Sequence, residues 1–146
     1  MSKPAPPPPL DGYIIYDPVD PFENEAGPFY WRLLDDGSHH FVLRTEARHA
    51  NAYDVIHGGL LMTMADLTMA VTAKAESDDA YVTVAFNSEF VAAGYAGDLV
   101  ESRAELVRRT GSMAFVRGRI HVGKTTLFVC SAVMKRVGKR GALNKS

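Results

Sequence analysis

The chain has 146 residues, a formal net charge of −1 and a hydrophobic content of 47%. This length is typical of one domain that buries its core without cross-links, and the near-zero charge gives no electrostatic reason to bind nucleic acid. A single cysteine, Cys130, excludes an intrachain disulfide and fits a reducing compartment. No apolar run has the length of a membrane span, and residues 2–9 lack the apolar core of a secretory signal. We therefore expect a soluble cytoplasmic protein that binds neither nucleic acid nor membrane.

Proline dominates the N-terminal segment. Residues 1–12 are rich in proline, which predicts an extended tail; a ligand for an SH3-type domain is the alternative to a plain disordered leader. Residues 13–31 combine aromatic side chains with three further prolines, so we expect an irregular or short helical arm that packs on the domain. Residues 1–27 are accordingly assigned to a tail and arm.

Strand patterns and one helix pattern follow. Residues 30–34 and 40–45 flank a turn at 35–38 and predict a β-hairpin. The one long helical pattern runs from Gly59 to about Glu76 and is ended by a short polar run at 77–79. Four strand-length runs come after it, at residues 81–90, 97–109, 114–122 and 126–136.

This order of elements predicts the fold class. Four successive strands favour an antiparallel meander over parallel strands joined by crossover helices. The helix is apolar on nearly every face and therefore needs cover on nearly every face. We expect an α+β fold in which a sheet wraps the helix and a second subunit covers the rest. The domain then spans residues 28–136, and residues 137–146 form a basic C-terminal tail.

Asp66 is the only ionisable side chain between Gly58 and Ala73. A carboxylate among apolar neighbours loses hydration and needs a partner or a chemical role. One interpretation is a buried aspartate that hydrogen-bonds to the backbone or to a threonine such as Thr63 or Thr68. The other is a general base acting on water, or a direct nucleophile on a thioester carbonyl.

The segment His57-Gly58-Gly59 comes immediately before the helix. Backbone N–H groups at a helix start lack partners within the helix, and the helix dipole favours negative charge there. The two glycines are either a flexible entry to the helix or a place where a ligand approaches and an N–H polarises its carbonyl. We assign His57 an orienting role, with its Nδ1 holding the glycine turn.

Gly58 and Asp66 are eight residues apart, roughly 12 Å along a helix axis. Both groups cannot readily act on one carbonyl from the same chain. If both are catalytic, they come from two subunits whose helices run antiparallel, which predicts an active site at a two-fold dimer interface.

Motifs for metals and nucleotides are missing. His39 and His40 are adjacent and point to opposite faces of a strand, while Cys130 has no Cys or His at ligand spacing. There is no P-loop, dinucleotide fingerprint or nucleophile elbow. We expect neither metal nor cofactor.

Basic side chains cluster late in the chain. They are either solvated surface or contacts for the phosphates of a nucleotide-bearing substrate. Two of them directly precede the small-residue turn Thr110-Gly111-Ser112, where a ligand has room to approach. The basic set is Arg108, Arg109, Lys135, Arg136, Lys139 and Arg140.

On these residues the chain resembles the hotdog-fold thioesterases, and most of all their PaaI-type branch, which is associated with phenylacetate degradation and acyl-CoA hydrolysis. The resemblance covers about residues 28–136. Its motif is an asparagine, His-Gly-Gly six residues later and a carboxylate nine residues after the histidine, followed by a Ser or Thr and a late turn. The matching residues are Asn51, His57-Gly58-Gly59, Asp66, Thr83 and Arg109-Thr110-Gly111-Ser112.

The resemblance implies a role for each matching residue. The Gly58 N–H would polarise the thioester carbonyl, and Asp66 of the opposite subunit would activate water or attack. Asn51 and Thr83 would position the water or Asp66, while His57, also counted among the catalytic residues, would hold the loop and hydrogen-bond near the thioester. The turn with Arg109, Gly111 and Ser112 would border the coenzyme A channel. Apart from the resemblance, Met62, Met69 and Met113 either line an adaptable acyl pocket or belong to the plain core, and we count Met62 and Gly59 among the substrate-binding residues.

The resemblance also implies an architecture. We expect a curved antiparallel sheet around one long helix, and homodimers that pair into homotetramers. The substrate would be an acyl-CoA, with no metal or cofactor required.

Three other functions compete with acyl-CoA hydrolysis. A non-catalytic acyl-CoA-binding or sensing module would not need Asp66. A hotdog dehydratase or hydratase would space its histidine and carboxylate for proton transfer at carbon. An interaction protein that uses the Pro-rich tail would leave Asp66 unexplained. The acyl group stays open among aromatic, medium-chain and hydroxybenzoyl-type thioesters.

Overall fold

A computed structural model describes residues 5–16, 20–75 and 77–139. Predictions for residues 1–4, Pro18, Glu76 and residues 140–146, including Arg140, lie outside this part of the chain. The elements, in chain order, are β1 (Ile14–Ile15), α1 (Pro21–Ala26), β2 (Tyr30–Leu33), β3 (His39–Arg44), a 3₁₀ turn (Ala47–His49), α2 (Gly58–Lys74), β4 (Asp79–Phe90), β5 (Leu99–Arg109), β6 (Met113–Val122) and β7 (Thr125–Lys139).

The strands form one seven-stranded sheet in the order β1-β2-β3-β5-β6-β7-β4. Every neighbouring pair is antiparallel, and the sheet packs around α2, the one long helix of the described residues. This confirms the expected α+β architecture of a curved antiparallel sheet around a single long helix.

The predicted four-strand meander is wrong for its first strand. The strands β5, β6 and β7 do form a meander, but β4 pairs with β7 at the sheet edge instead of with β5. The connection between β4 and β5 spans residues 91–98. Because this is longer than the tight turn that forces hairpin partners together, it carries the chain from one edge of the sheet towards β3.

Both ends of the domain carry more regular structure than the predicted tails. The strand β7 continues to Lys139, three residues past the predicted end at Arg136. In the N-terminal arm, β1 pairs with β2, and α1 begins with Pro21 directly after Asp20, whose carboxylate accepts from the Glu23 N–H at 3.0 Å. An aspartate cap followed by proline at the first position is a favourable helix start.

The helix α2 meets the sheet through its buried face. Its apolar side chains pack against Phe41 of β3, Ile120 of β6 and Phe128 of β7, all fully buried. Gly118 of β6 lets the helix approach closely, since a Cβ there would lie 3.0 Å from the Cys130 Sγ atom and 3.4 Å from the Met69 Cγ atom. Sheet and helix therefore share one core.

One face of α2 stays outside this core. Gly59, Met62, Thr63 and Asp66 are spaced at three and four residues, which puts them on one side of a helix. None of the four is buried, and Met62 is 40% exposed. The cover that the apolar pattern predicts is thus incomplete within a single chain, on the side of α2 that carries Asp66.

No helix among the described residues is long and apolar enough to cross a membrane.

Candidate active site

A cavity of about 350 Å³ opens along the uncovered face of α2. Three elements meet there, namely the start of α1, the middle of α2 and the edge strand β4. The lining residues are Asp20, Phe22, Glu23, Met62, Thr63, Asp66, Thr83 and Phe86.

Asp66 is held in this cavity by a threonine from β4. The Thr83 hydroxyl donates to Asp66 Oδ1 at 2.6 Å. The two threonines on its own helix do not serve it, because Thr63 donates to the Gly59 carbonyl at 2.8 Å and Thr68 to the Met64 carbonyl at 2.7 Å. Within the described residues, Oδ2 of Asp66 has no hydrogen-bond partner. One oxygen is therefore fixed and the other is available to water or substrate.

His57 organises the start of α2. The ring Nδ1 of His57 accepts from the Gly59 N–H at 2.8 Å. The backbone N–H of His57 donates to the His49 carbonyl at 2.8 Å, and the backbone carbonyl of His57 accepts from the Leu60 N–H at 3.0 Å. Across residues 5–16, 20–75 and 77–139, nothing accepts the Gly58 N–H. The helix thus presents one unpaired amide at its positive end, where a developing oxyanion is stabilised.

Two further site residues lie away from the Asp66 cavity. Asn51 closes the loop that leads into α2, with its Oδ1 accepting from the Tyr53 N–H at 2.8 Å. Arg109 donates to the Ala73 carbonyl near the C-terminal end of α2, so its guanidinium caps the helix. The turn with Gly111 and Ser112 is exposed beside it.

The single chain does not bring the predicted catalytic groups together. Gly58 and Asp66 stand roughly 12 Å apart along α2, and the β5–β6 turn sits near the opposite end of α2 from Gly58, about 22 Å away by helix rise. Only Thr83, Met62 and Asp66 of the predicted site share one cavity.

The cavity also contains a carboxylate that sequence reasoning missed. Glu23 of α1 lines it, and burial, followed by the negative charges of Asp20 and Asp66, raises the pKa of Glu23 to about 7. No local pattern marks Glu23 as part of a site, because it lies 43 residues before Asp66 in an arm interrupted by prolines. The available signal was the Asp20-Pro21 helix start, which places Glu23 in the first turn of a helix.

A second cluster of titratable groups lies on the outer face of the sheet. The ligand atoms of His40, Glu101 and His121 lie within 4.8 Å of one another. Burial, helped by nearby positive charges, lowers the pKa of His40 to about 4, so its contact with Glu101 at 3.3 Å involves a neutral imidazole at pH 7. The spacing of residues along the sequence gives no signal for this group, because its three members lie on three different strands, β3, β5 and β6.

Comparison with known proteins places the chain in a family. Residues 53–129, more than half of the chain, match the family model of the thioesterase superfamily. A candidate esterase of Pseudomonas aeruginosa is 31% identical over 115 residues, which cover 77% of this chain and 86% of that protein. The chain belongs to the thioesterase superfamily. Membership indicates hydrolase chemistry, and the matched region contains His57, Gly58, Asp66 and Thr83.

Solved structures share the fold. The PaaI protein of the Escherichia coli phenylacetic acid degradation operon superposes with a TM-score of 0.75 at 20% identity, covering 83% of this chain and 87% of that one. A hypothetical thioesterase of Streptococcus pneumoniae, solved with coenzyme A, gives a TM-score of 0.71 at 19% identity, covering 80% and 92%. At these identities the likeness concerns the fold alone, and it confirms the hotdog architecture.

Proposed function

We propose that this protein hydrolyses an acyl-CoA thioester to a free acid and coenzyme A. The observation that carries the proposal is the state of Asp66. It is the only charged side chain on the uncovered face of α2, with one oxygen fixed by Thr83 at 2.6 Å and the other facing a cavity lined by Phe22, Met62 and Phe86.

The chemistry assigned to these groups is acyl transfer to water. Asp66 takes a proton from water as the water oxygen bonds to the thioester carbon, or its carboxylate attacks that carbon first and water then hydrolyses the anhydride. The Gly58 N–H stabilises the oxyanion. Collapse of the tetrahedral intermediate breaks the C–S bond, and the coenzyme A thiolate leaves and takes up a proton.

We assign Asp66 and Gly58 of one site to two subunits. If the α2 helix of a partner subunit ran antiparallel to this one, its N-terminal end would lie beside Asp66 of this chain. The two groups would then avoid the separation of roughly 12 Å that they have along a single helix. Support comes from β4, an edge strand whose side chains Val82, Val84 and Phe90 are exposed. An exposed apolar edge strand is a natural place for a second copy to pair.

The same arrangement supplies a place for the nucleotide part of coenzyme A. Gly111 and Ser112 lie in an exposed turn, next to Arg108 and Arg109. An antiparallel partner would carry its own α2 start towards this turn. The thioesterase of S. pneumoniae solved with coenzyme A supports a coenzyme A ligand for this fold.

The test is release of free thiol from a panel of acetyl-, hexanoyl-, benzoyl-, phenylacetyl- and 4-hydroxybenzoyl-CoA. We expect the wild type to hydrolyse some of these thioesters and Asp66→Asn to lower kcat by about 10³-fold, the scale of a lost general base. Asp35→Asn makes the same chemical change at an exposed turn and should leave kcat unchanged.

Two outcomes would contradict the proposal. If the wild type binds acyl-CoA but hydrolyses none of the panel, the protein is a binding or sensing module. If Asp66→Asn keeps full activity, the catalytic base lies elsewhere.

A further inference from the structure

The short helix α1 is anchored to the segment that leads into the active site. Arg48 donates to the Glu25 carbonyl at 2.9 Å and also to the Gly27 carbonyl. His49 donates from Nε2 to the Ala26 carbonyl at 2.9 Å. Three successive hydrogen bonds therefore hold the C-terminal end of α1 on the 3₁₀ turn.

This anchoring continues into α2. The Nδ1 atom of His49 accepts from the Glu46 N–H at 2.9 Å, which fixes the proton on Nε2 and makes the bond to α1 a donated one. The carbonyl of His49 accepts the N–H of His57, the cap of α2. The position of α1 is thus linked through the backbone to the start of the long helix.

What α1 contributes to the cavity is an apolar wall and negative charge. Phe22 is 68% exposed in the single chain although it lines the same cavity as Met62 and Phe86. The titratable side chains among the lining residues are all carboxylates, namely Asp20, Glu23 and Asp66, and none of the Lys, Arg and His side chains in the described part of the chain lines this cavity.

We propose that α1 forms a wall of the acyl cavity and that Glu23 makes the enzyme reject acyl groups that end in an anion. The inference rests on the proposed thioesterase function. A neutral acyl chain contacts Phe22, Met62 and Phe86, whereas a terminal carboxylate enters a cavity with like charges and no counter-ion. Repulsion at a few ångströms in a partly desolvated site discriminates by about 10- to 100-fold.

The charge on Glu23 gives this selectivity a pH dependence. The pKa of Glu23 is raised to about 7 by burial, Asp20 and Asp66, and the side chains that line the cavity from α1, α2 and β4 add no positive charge. Glu23 gains its negative charge as pH rises from 6 to 8, while a terminal carboxylate on the substrate is ionised throughout. Preference for the neutral thioester should therefore increase over this range.

The test compares two thioesters that differ only at the end of the acyl group. Pentanoyl-CoA and glutaryl-CoA form the alkyl pair, and 4-methylbenzoyl-CoA and 4-carboxybenzoyl-CoA form the aryl pair; the pair is taken from the class that the wild type hydrolyses better. We expect the wild type to prefer the neutral member by about 100-fold in kcat/KM, and Glu23→Gln to reduce that preference about tenfold or more.

The control is Glu25→Gln, the same change on an exposed side chain of the same helix, which should keep the wild-type preference. The wild-type ratio should also rise from pH 6 to pH 8 and become flat in Glu23→Gln. An unchanged ratio in Glu23→Gln, or no preference in the wild type, would overturn the inference. Absence of hydrolysis of every thioester by the wild type would instead overturn the proposed function.

Discussion

At the scale of single residues, Asp66 depends on a partner that is close in space and distant in sequence. The Thr83 hydroxyl fixes Oδ1 at 2.6 Å and so directs the free oxygen into the cavity. We therefore propose that Thr83 is a positioning residue for Asp66, the proposed base.

Thr83→Val tests this role, because it keeps the β-branched shape and removes the donor. We expect kcat to fall about 10- to 100-fold with little change in KM, since a misplaced catalytic group costs rate more than binding. Steady-state thiol release measures both constants. Thr83→Ser restores the hydroxyl and should recover most of kcat; a valine variant with wild-type kcat would show that Asp66 needs no such partner.

Several candidate site residues could be singled out in the sequence because their signals are local. Asp66 is an isolated charge in an apolar helix, and His57 with two glycines marks a helix start. Glu23 and the group of His40, Glu101 and His121 were not predictable in this way. Their members come from separate elements, and only the chain's tertiary path brings them together.

At the scale of elements, the close packing of α2 on the sheet depends on a glycine in β6. A Cβ at Gly118 would lie 3.4 Å from the Met69 Cγ atom of α2, 3.0 Å from the Cys130 sulfur and 3.4 Å from the Arg103 carbonyl oxygen. Neither the backbone oxygen nor the buried sulfur can move far. The concave face of the sheet is therefore shaped to this helix at this position.

Gly118→Val should destabilise the fold by about 1–3 kcal/mol, the usual cost of overpacking a core. Urea-induced unfolding followed by circular dichroism measures the free energy of unfolding. Gly111→Val is the matched control, since nothing lies within 4 Å of a Cβ at that exposed turn. Equal stability of the two variants would mean that α2 does not pack on β6 as described.

Element types were readable from the sequence, whereas strand order was not. Hydrophobic period and turn residues are local properties, and the predicted strands and helix differ from those observed by at most three residues at either end. Pairing of β4 with β7 joins residues such as Thr83 and Met134, which no local pattern connects. Expecting neighbours in sequence to pair therefore failed for β4.

At the scale of the whole molecule, the described part of the chain leaves one face of α2 uncovered. The uncovered face of α2 and Phe22 line the same cavity. The edge strand β4 lines it through Thr83 and Phe86 and has further exposed apolar side chains at Val82 and Val84. The proposed second subunit would cover these surfaces and bring the unpaired Gly58 amide to Asp66. The central claim is thus that each active site combines groups from two chains.

Subunit complementation tests this claim most directly. Asp66→Asn removes the base, and Gly58→Pro removes the unpaired amide at the first position of α2. Proline suits a first helical position, and His57 already has the extended backbone (φ −60°, ψ 131°) that a following proline requires. A Cβ at this position would lie 2.8 Å from the Phe90 ring, so this exposed ring must move aside in the variant. Each variant alone should have little activity. After the two are dissociated and reassembled at equal concentration, half of the dimers are mixed, and each mixed dimer holds one intact site.

The measurement is thiol release from the best thioester by this reassembled mixture, with mixed dimers verified by differently tagged chains. We predict recovery of about a quarter of wild-type activity, because a shared site is intact once in every mixed dimer. Mixed dimers that form but stay inactive would contradict the account, since a site built within one chain is damaged in every subunit of the mixture.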